Sequence, residues 1–190
     1  VETDGTWLES RGPKGDLILE KQLFANPDLC TGCNRCTLIC SAKKENAFRP
    51  NRARLRINNF PLRGYSVPSV CFQCSKANCL EACPTAALYR NAEGVVLVDD
   101  SLCTACGACV AACTYGMIEQ NDSGIAYKCD FCDGDPACVK ECHSDALLFV
   151  AGDSEHIRLK AAQMKHRTTT GTPAEKRRTM AESLMKKARA

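Results

Sequence analysis

Sixteen cysteines fall into four quartets, and every quartet ends in the same C-x3-C step. Cys30, Cys33, Cys36 and Cys40 read C-x2-C-x2-C-x3-C, and Cys103, Cys106, Cys109 and Cys113 repeat that spacing unchanged. Cys71, Cys74, Cys79 and Cys83 read C-x2-C-x4-C-x3-C, whereas Cys129, Cys132, Cys138 and Cys142 read C-x2-C-x5-C-x3-C. Quartets of this kind suit four cubane [4Fe–4S] clusters with four thiolate ligands each. The first three cysteines wrap one cluster as a tight loop, and the fourth sits on a short helix after it. In two-cluster ferredoxins that fourth cysteine ligates the other cluster. Thr31-Gly32 and Ala105 with Gly107-Ala108 carry little bulk, which lets the backbone approach a cluster. A chain with four such centres is most simply a wire for electrons.

Three plainer readings compete. Disulfide-rich chains are short and secreted, with varied spacings rather than one repeated four times. Structural zinc pairs two C-x2-C halves across a longer gap and does not call for the recurring C-x3-C. Three clusters with one degenerate site would fit a missing ligand, but every quartet is complete.

Composition sets the rest of the frame. Aromatic residues make up 6% of the 190, with a single Trp, so a conventional core is thin and the metal centres are expected to fill the interior. Thiolate-bound clusters call for a reducing, low-oxygen setting, and the cytoplasm is expected, with a cleaved export signal as the alternative because the chain starts at Val1. No apolar run reaches the roughly 18 residues of a membrane span. The net charge of +3 conceals a division: residues 155–190 hold ten Lys and Arg against three Glu, or +7, which leaves +3 − 7 = −4 for residues 1–154. Nucleic-acid binding by this tail is not expected, since it has no aromatic residue to stack on bases. Docking on an acidic surface, including a second copy of this core, is.

Residues 1–28 read as an extended lead-in, with Trp7 as a candidate anchor for a partner. Residues 29–154 form the cluster core and residues 155–190 a basic helical tail. In Asn51 to Phe60, Arg52, Arg54 and Arg56 alternate with apolar residues, which predicts a half-exposed strand with a solvated arginine face. Asn91-Ala92-Glu93-Gly94 and Asn121-Asp122-Ser123-Gly124 each join two apolar runs and predict hairpins, with Ala146 to Val150 as a matching half-hairpin. In the tail, Thr172, Pro173 and Glu175 make a capping box. The helix they start carries a narrow stripe of Met180, Leu184, Met185 and Ala188, expected to lie in a groove of a neighbouring subunit.

At this point the chain resembles the four-cluster ferredoxin-like subunits of molybdenum or tungsten oxidoreductases, and of some hydrogenases and formate dehydrogenases. Cys30-Thr-Gly-Cys-Asn-Arg-Cys36, Cys71-Phe-Gln-Cys74, Cys83-Pro84-Thr85-Ala86-Ala87-Leu88 and Lys128-Cys-Asp-Phe-Cys132 carry the resemblance over about Leu29 to Val150. The short fourth quartet is most similar to small subunits of tungsten aldehyde oxidoreductases and benzoyl-CoA-reductase-type complexes. The resemblance implies an α+β fold of two stacked ferredoxin-like modules and a nested ligand pattern. Cys30, Cys33 and Cys36 would share a cluster with Cys142; Cys129, Cys132 and Cys138 with Cys40. Cys71, Cys74 and Cys79 would take Cys113; Cys103, Cys106 and Cys109 would take Cys83. Spacing supports the exchange of fourth cysteines but not which quartets exchange. The proline that often follows the fourth cysteine survives only as Pro84; Ser41, Thr114 and His143 replace it. His143 reads as a surface residue, with tuning of a cluster as the sharper alternative.

The expectation is therefore a non-catalytic electron-transfer subunit, since no paired carboxylates, Ser/His/Asp set or phosphate loop is present. Its implied partners are a tungsten or molybdenum pterin enzyme, a flavoprotein subunit or ferredoxin, and further copies of itself through the tail. A hydrogenase or formate dehydrogenase partner, and a redox-sensing regulatory role, are the alternatives.

Overall fold

A computed structural model describes residues 21–187. The lead-in with Trp7 lies outside the described residues apart from its last few positions. Those positions form a strand, β1 (Gln22–Ala25), followed by α1 (Arg35–Glu45), β2 (Arg56–Phe60) and β3 (Tyr65–Ser69). Next come α2 (Asn78–Glu81), β4 (Leu88–Arg90), β5 (Val96–Val98), α3 (Ala108–Ala112), β6 (Ile118–Gln120) and β7 (Ala126–Lys128). The chain then runs through α4 (Ala137–Lys140), β8 (Leu147–Val150), α5 (Ser154–Met164) and α6 (Pro173–Lys187). Helices and small sheets mix throughout, so the fold is α+β. No helix among the described residues is long and apolar enough to cross a membrane.

Each sheet is an antiparallel pair: β1–β8, β2–β3, β4–β5 and β6–β7. The two predicted hairpins form where their Gly-ended loops stand, with Gly94 and Gly124 at positive φ. The half-hairpin after the fourth quartet finds its missing strand at the other end of the chain, where Leu147 pairs with Ala25 and Val150 with Gln22. The ends of the cluster-bearing region are thus stitched together. A further hairpin, β2–β3, turns on Pro61-Leu62-Arg63-Gly64 and was not foreseen beyond its first strand.

Gly32 in the first loop also makes room for a neighbouring element. Gly32 sits at φ +72, and a Cβ there would fall 2.5 Å from Ser66 Oγ and 2.8 Å from Asn59 Oδ1. The room is used by the β2–β3 hairpin, so any side chain would push that hairpin off the loop.

The arginine comb is not solvated. Arg52 is buried and pairs with Asp122; Arg54 meets Glu45 at 2.9 Å and stacks its guanidinium 4.2 Å from the Tyr127 ring; Arg56 pairs with Glu119. Only Arg56 lies in a strand, because Pro50 starts a tight turn through Arg52. Burial among carboxylates that lie far away in sequence is what the local alternation could not reveal.

The tail also departs from expectation. Met180 and Ala181 are fully buried, with Leu184 and Met185 nearly so, against β2 and β3 of the same chain. Burying such side chains stabilises by about 1.5–3 kcal/mol each, so Met180, Leu184 and Met185 of the stripe are already used and are not free to enter a neighbour's groove; Ala188 lies outside the described residues. Gly116, at φ +66, lets the start of α6 come close: a Cβ would lie 2.2 Å from Pro173 O. Lys176 and Arg177 turn inward, at 2% and 6% exposure. Part of the tail's positive charge thus answers the anionic core within one molecule.

The capping box forms as read. Glu175 N–H donates to Thr172 Oγ1 at 3.3 Å, and Thr172 N–H donates to Glu175 Oε2 at 2.7 Å. Thr172→Ala is expected to cost about 1 kcal/mol of α6 docking. Limited trypsin digestion checks this, because cleavage at the buried Arg177 should speed up about fivefold; an unchanged rate would mean the cap does not hold the helix down.

Candidate iron–sulfur sites

The C-x3-C step gives every quartet a pair of cysteines one helical turn apart. Cys36 and Cys40 lie on α1, and Cys109 lies on α3 with Cys113 as its C-cap. Cys79 and Cys138 lie on α2 and α4, with Cys83 and Cys142 just beyond their ends. Side chains at i and i+4 share a helix face, one above the other along the axis. Each helix therefore offers two sulfurs on one face, displaced by about 6 Å. That displacement separates the fourth cysteine from the first three.

The sets that the fold brings together follow from which thiols act on which. Cys36 feels Cys30, Cys142 and Cys33, and burial ahead of these neighbours pushes it up to about 12. Cys138 is pushed up by burial and then by Cys40, Cys132 and Cys36. Cys74 rises to about 11 and Cys79 to about 12; burial leads in both, followed by Cys71 and Cys113 among the nearby thiols. Cys109 rises to about 11 through burial and then Cys103, Cys83 and Cys106. In three quartets the first three cysteines thus lie near the fourth of another, and in the remaining one Cys132 and Cys138 lie near Cys40. Cys129 joins the interior, where burial and then Cys71 raise it.

Cavities open within two of these sets. One of about 170 Å³ is lined by Cys71, Cys74, Cys79 and Cys113, and another by Cys30, Cys33, Cys36 and Cys142. All sixteen cysteines are free thiols. Among the described residues no three His, Cys, Asp or Glu side chains converge tightly enough to hold one metal ion; the sulfurs surround a space instead.

This donor set fits iron–sulfur clusters. Thiols whose burial holds them near 11 or 12 do not ionise on their own at neutral pH, and bound iron supplies the charge that makes them thiolates. Backbone N–H groups already point at sulfur: Arg54 N to Cys40 Sγ at 3.2 Å, Met117 N to Cys113 Sγ at 3.4 Å and Ala126 N to Cys103 Sγ at 3.5 Å. Cys83 is held below its ordinary value. Burial pushes it up, but the N–H groups of Leu88, Thr85 and Ala87 and the Thr85 hydroxyl together outweigh that. In the fourth quartet Phe131, Cys132, Asp133 and Gly134 all take positive φ, a left-handed run that curls the loop around its sulfurs.

Two of the sixteen cysteines, Cys33 and Cys106, are exposed. They belong to different sets, those of Cys30 and Cys103. The sets of Cys71 and Cys129 have no exposed member. His143 is exposed, as its surface reading required. Sequence reasoning missed the polar groups between the sets. Buried Gln73 donates to Cys129 O at 2.8 Å and accepts from Val96 N–H at 2.9 Å, and buried Lys128 donates to Val96 O and Cys129 O. Lys128 stands beside a cysteine and was visible there; nothing local marks Gln73 as a bridge.

Comparisons with known proteins place the chain among similar ones. Residues 62–153 match the 4Fe-4S dicluster domain and residues 27–43 a 4Fe-4S binding domain. The polyferredoxin-like subunit of an aliphatic sulfonate oxidoreductase from Pyrococcus furiosus is 37% identical over 161 residues, covering 81% of this chain and 87% of that one. The electron transfer subunit of thiosulfate reductase from Salmonella typhi is 35% identical over 67% of this chain and 74% of its own. Among solved structures, a chain of the BamBC active-site complex of benzoyl-coenzyme A reductase aligns over 90% of this chain and 97% of its own, at 24% identity and a TM-score of 0.43.

Proposed function

Because the chain belongs to the family of 4Fe–4S ferredoxin-like electron-transfer subunits of oxidoreductase complexes, we propose that its four [4Fe–4S] clusters form one continuous wire with a surface contact at each end. Cys30, Cys33, Cys36 and Cys142 hold the first position, and Cys40, Cys129, Cys132 and Cys138 the second. Cys71, Cys74, Cys79 and Cys113 hold the third, and Cys83, Cys103, Cys106 and Cys109 the fourth. The observation that supports this order is exposure: Cys33 and Cys106 reach solvent from two sets, while the other two sets have no exposed member. Cys36 acting on Cys138 and Cys71 acting on Cys129 support the first two links between positions.

When bound, each cluster supplies one-electron redox chemistry. The protein's part is to hold sulfurs, exclude water and aim N–H groups. Residues 29–154 make two stacked ferredoxin-like modules, one built on α1 and α4 and one on α2 and α3, with residues 155–187 as a brace. A catalytic subunit with a tungsten or molybdenum pterin, acting on an aldehyde or acid, meets one end; a flavoprotein subunit or ferredoxin meets the other. The reading sets the chain in a reducing compartment, the cytoplasm. A second reading of the partner's substrate, a sulfonate or another oxidised sulfur compound, is favoured by the names of the relatives.

Elemental analysis of the complex, purified without oxygen from its host, tests this. About sixteen irons per copy of this chain are expected after subtracting the partner's, with tungsten or molybdenum in the same particle. Nickel in their place would move the partner to a hydrogenase. Zinc in place of iron would overturn the wire.

A further inference from the structure

The four positions are not electrically alike. Three lysines converge on the Cys71, Cys74, Cys79 and Cys113 set from three separate elements. Lys176, in the first turn of α6 and 2% exposed, donates to Cys113 O at 3.0 Å and Ala111 O at 2.9 Å. Lys160, on α5, donates to Gln22 Oε1, and its charge acts on Cys74 and Cys71. Lys128, at the end of β7 and 6% exposed, acts on Cys79 and also on Cys129. Arg90 adds a donor to Cys74 O at 2.8 Å.

Among the described residues none of the three lysines has a carboxylate partner. The cations near the neighbouring interior set do: Lys44 pairs with Asp130, and Arg54 with Glu45. For the outer sets, the groups acting on Cys30, Cys36, Cys83 and Cys109 are other cysteines, backbone N–H groups and the Thr85 hydroxyl. Positive charge in a poorly screened interior is costly, and the acceptors of these lysines are neutral carbonyl and amide oxygens that leave the charge itself uncompensated. Burial pulls Lys160 down, and the Cys74 and Cys71 sulfurs act the other way. An anionic centre inside the set supplies the missing counter-charge, and adding an electron to it strengthens every one of these attractions.

We propose that Lys128, Lys160 and Lys176 make the Cys71, Cys74, Cys79 and Cys113 position the electron well of the wire, the site that accepts an electron before its neighbours do. The proposal rests on the ligand sets given above. No bond forms or breaks; one electron arrives from an external donor, and the fixed charges compensate it. Burial of the set works against reduction because the more charged state loses hydration, and the lysines outweigh that loss. Lys128 faces both interior sets, so Lys160 and Lys176 are what single this one out. Both come from the tail, which gives residues 155–190 a function toward the core: they carry charge into the middle of the wire as well as covering it.

An anaerobic redox titration of the iron-loaded full chain, followed by electron paramagnetic resonance with dithionite as donor, tests this. In the unaltered protein the first signal to appear on reduction should be the one that Cys74→Ala and Cys113→Ala both remove. Lys160→Met and, from a different helix, Lys176→Met should each lower the reduction equilibrium of that signal about tenfold, which is 59 mV for one electron, with the other three unmoved. Lys160→Arg, which keeps the charge, should restore it. If the two cysteine variants remove different signals, the ligand set is wrong and the proposal falls with it. If they remove one signal but it is not the first to appear, or the lysine variants retain their iron and leave its midpoint unchanged, the ligand set stands and the well is overturned.

Discussion

Replacing Cys36 and Cys142 together by alanine should cost the iron-loaded chain about four irons, whereas replacing Cys36 and Cys40 together should cost about eight. The reasoning lies in the helix. Cys36 and Cys40 stand one turn apart on the same face of α1, yet Cys36 is acted on by Cys30, Cys33 and Cys142, and Cys40 by Cys132. A local arrangement, in which each quartet held its own cluster, would reverse the two results. Iron and acid-labile sulfide per chain, measured on protein purified without oxygen, decide between them. Equal losses from both pairs would mean that neither arrangement holds.

Glu119→Ala should lower stability by about 3 kcal/mol, toward the low end for removing one partner of a buried ion pair because the carboxylate is partly exposed. Glu119 joins three elements. Its Oε1 meets Arg177 of α6 at 2.6 Å; its Oε2 pairs with Arg56 of β2 and accepts from Tyr127 OH of β7 at 2.8 Å. Arg177 is buried, and burial already draws its guanidinium below its ordinary value, with Glu119 acting to hold it up. Without the carboxylate, two inward-facing cations repel each other across the space it filled. Arg177→Met should cost less, since an apolar side chain of similar reach fills the site without a stranded charge. Thermal unfolding of the iron-loaded protein, at matched iron content, reads the difference. Equal midpoints for the two variants would remove Glu119 as the tie between tail and core.

Much of this molecule was legible in its cysteines. The C-x3-C step predicts a helical turn, and α1 to α4 all stand there. The Gly-ended loops predict the β4–β5 and β6–β7 hairpins, because positive φ at Gly94 and Gly124 is a local requirement. The capping box at Thr172 is local too, and it forms. Readings that depended on a distant partner fared differently. Alternating Arg52, Arg54 and Arg56 looked solvated, because Glu45, Glu119, Asp122 and Tyr127 are not their sequence neighbours. The α6 stripe looked free for another subunit, because nothing in residues 173–187 reveals that β2 and β3 present the matching apolar face.

The sequence by itself determined that the chain has cysteines enough for four clusters, since ligand chemistry resides in residue type and the reach of a loop is set by spacing. It also determined that the fourth cysteine of each quartet would stand one turn beyond the third. Only the tertiary structure decided which cysteines of different quartets lie near one another, which thiols reach the surface, and where lysines without carboxylate partners collect. Those are relations between segments as far apart as Cys36 and Cys142, or Cys113 and Lys176. Charge and burial act through space, so they are fixed only when the chain closes on itself.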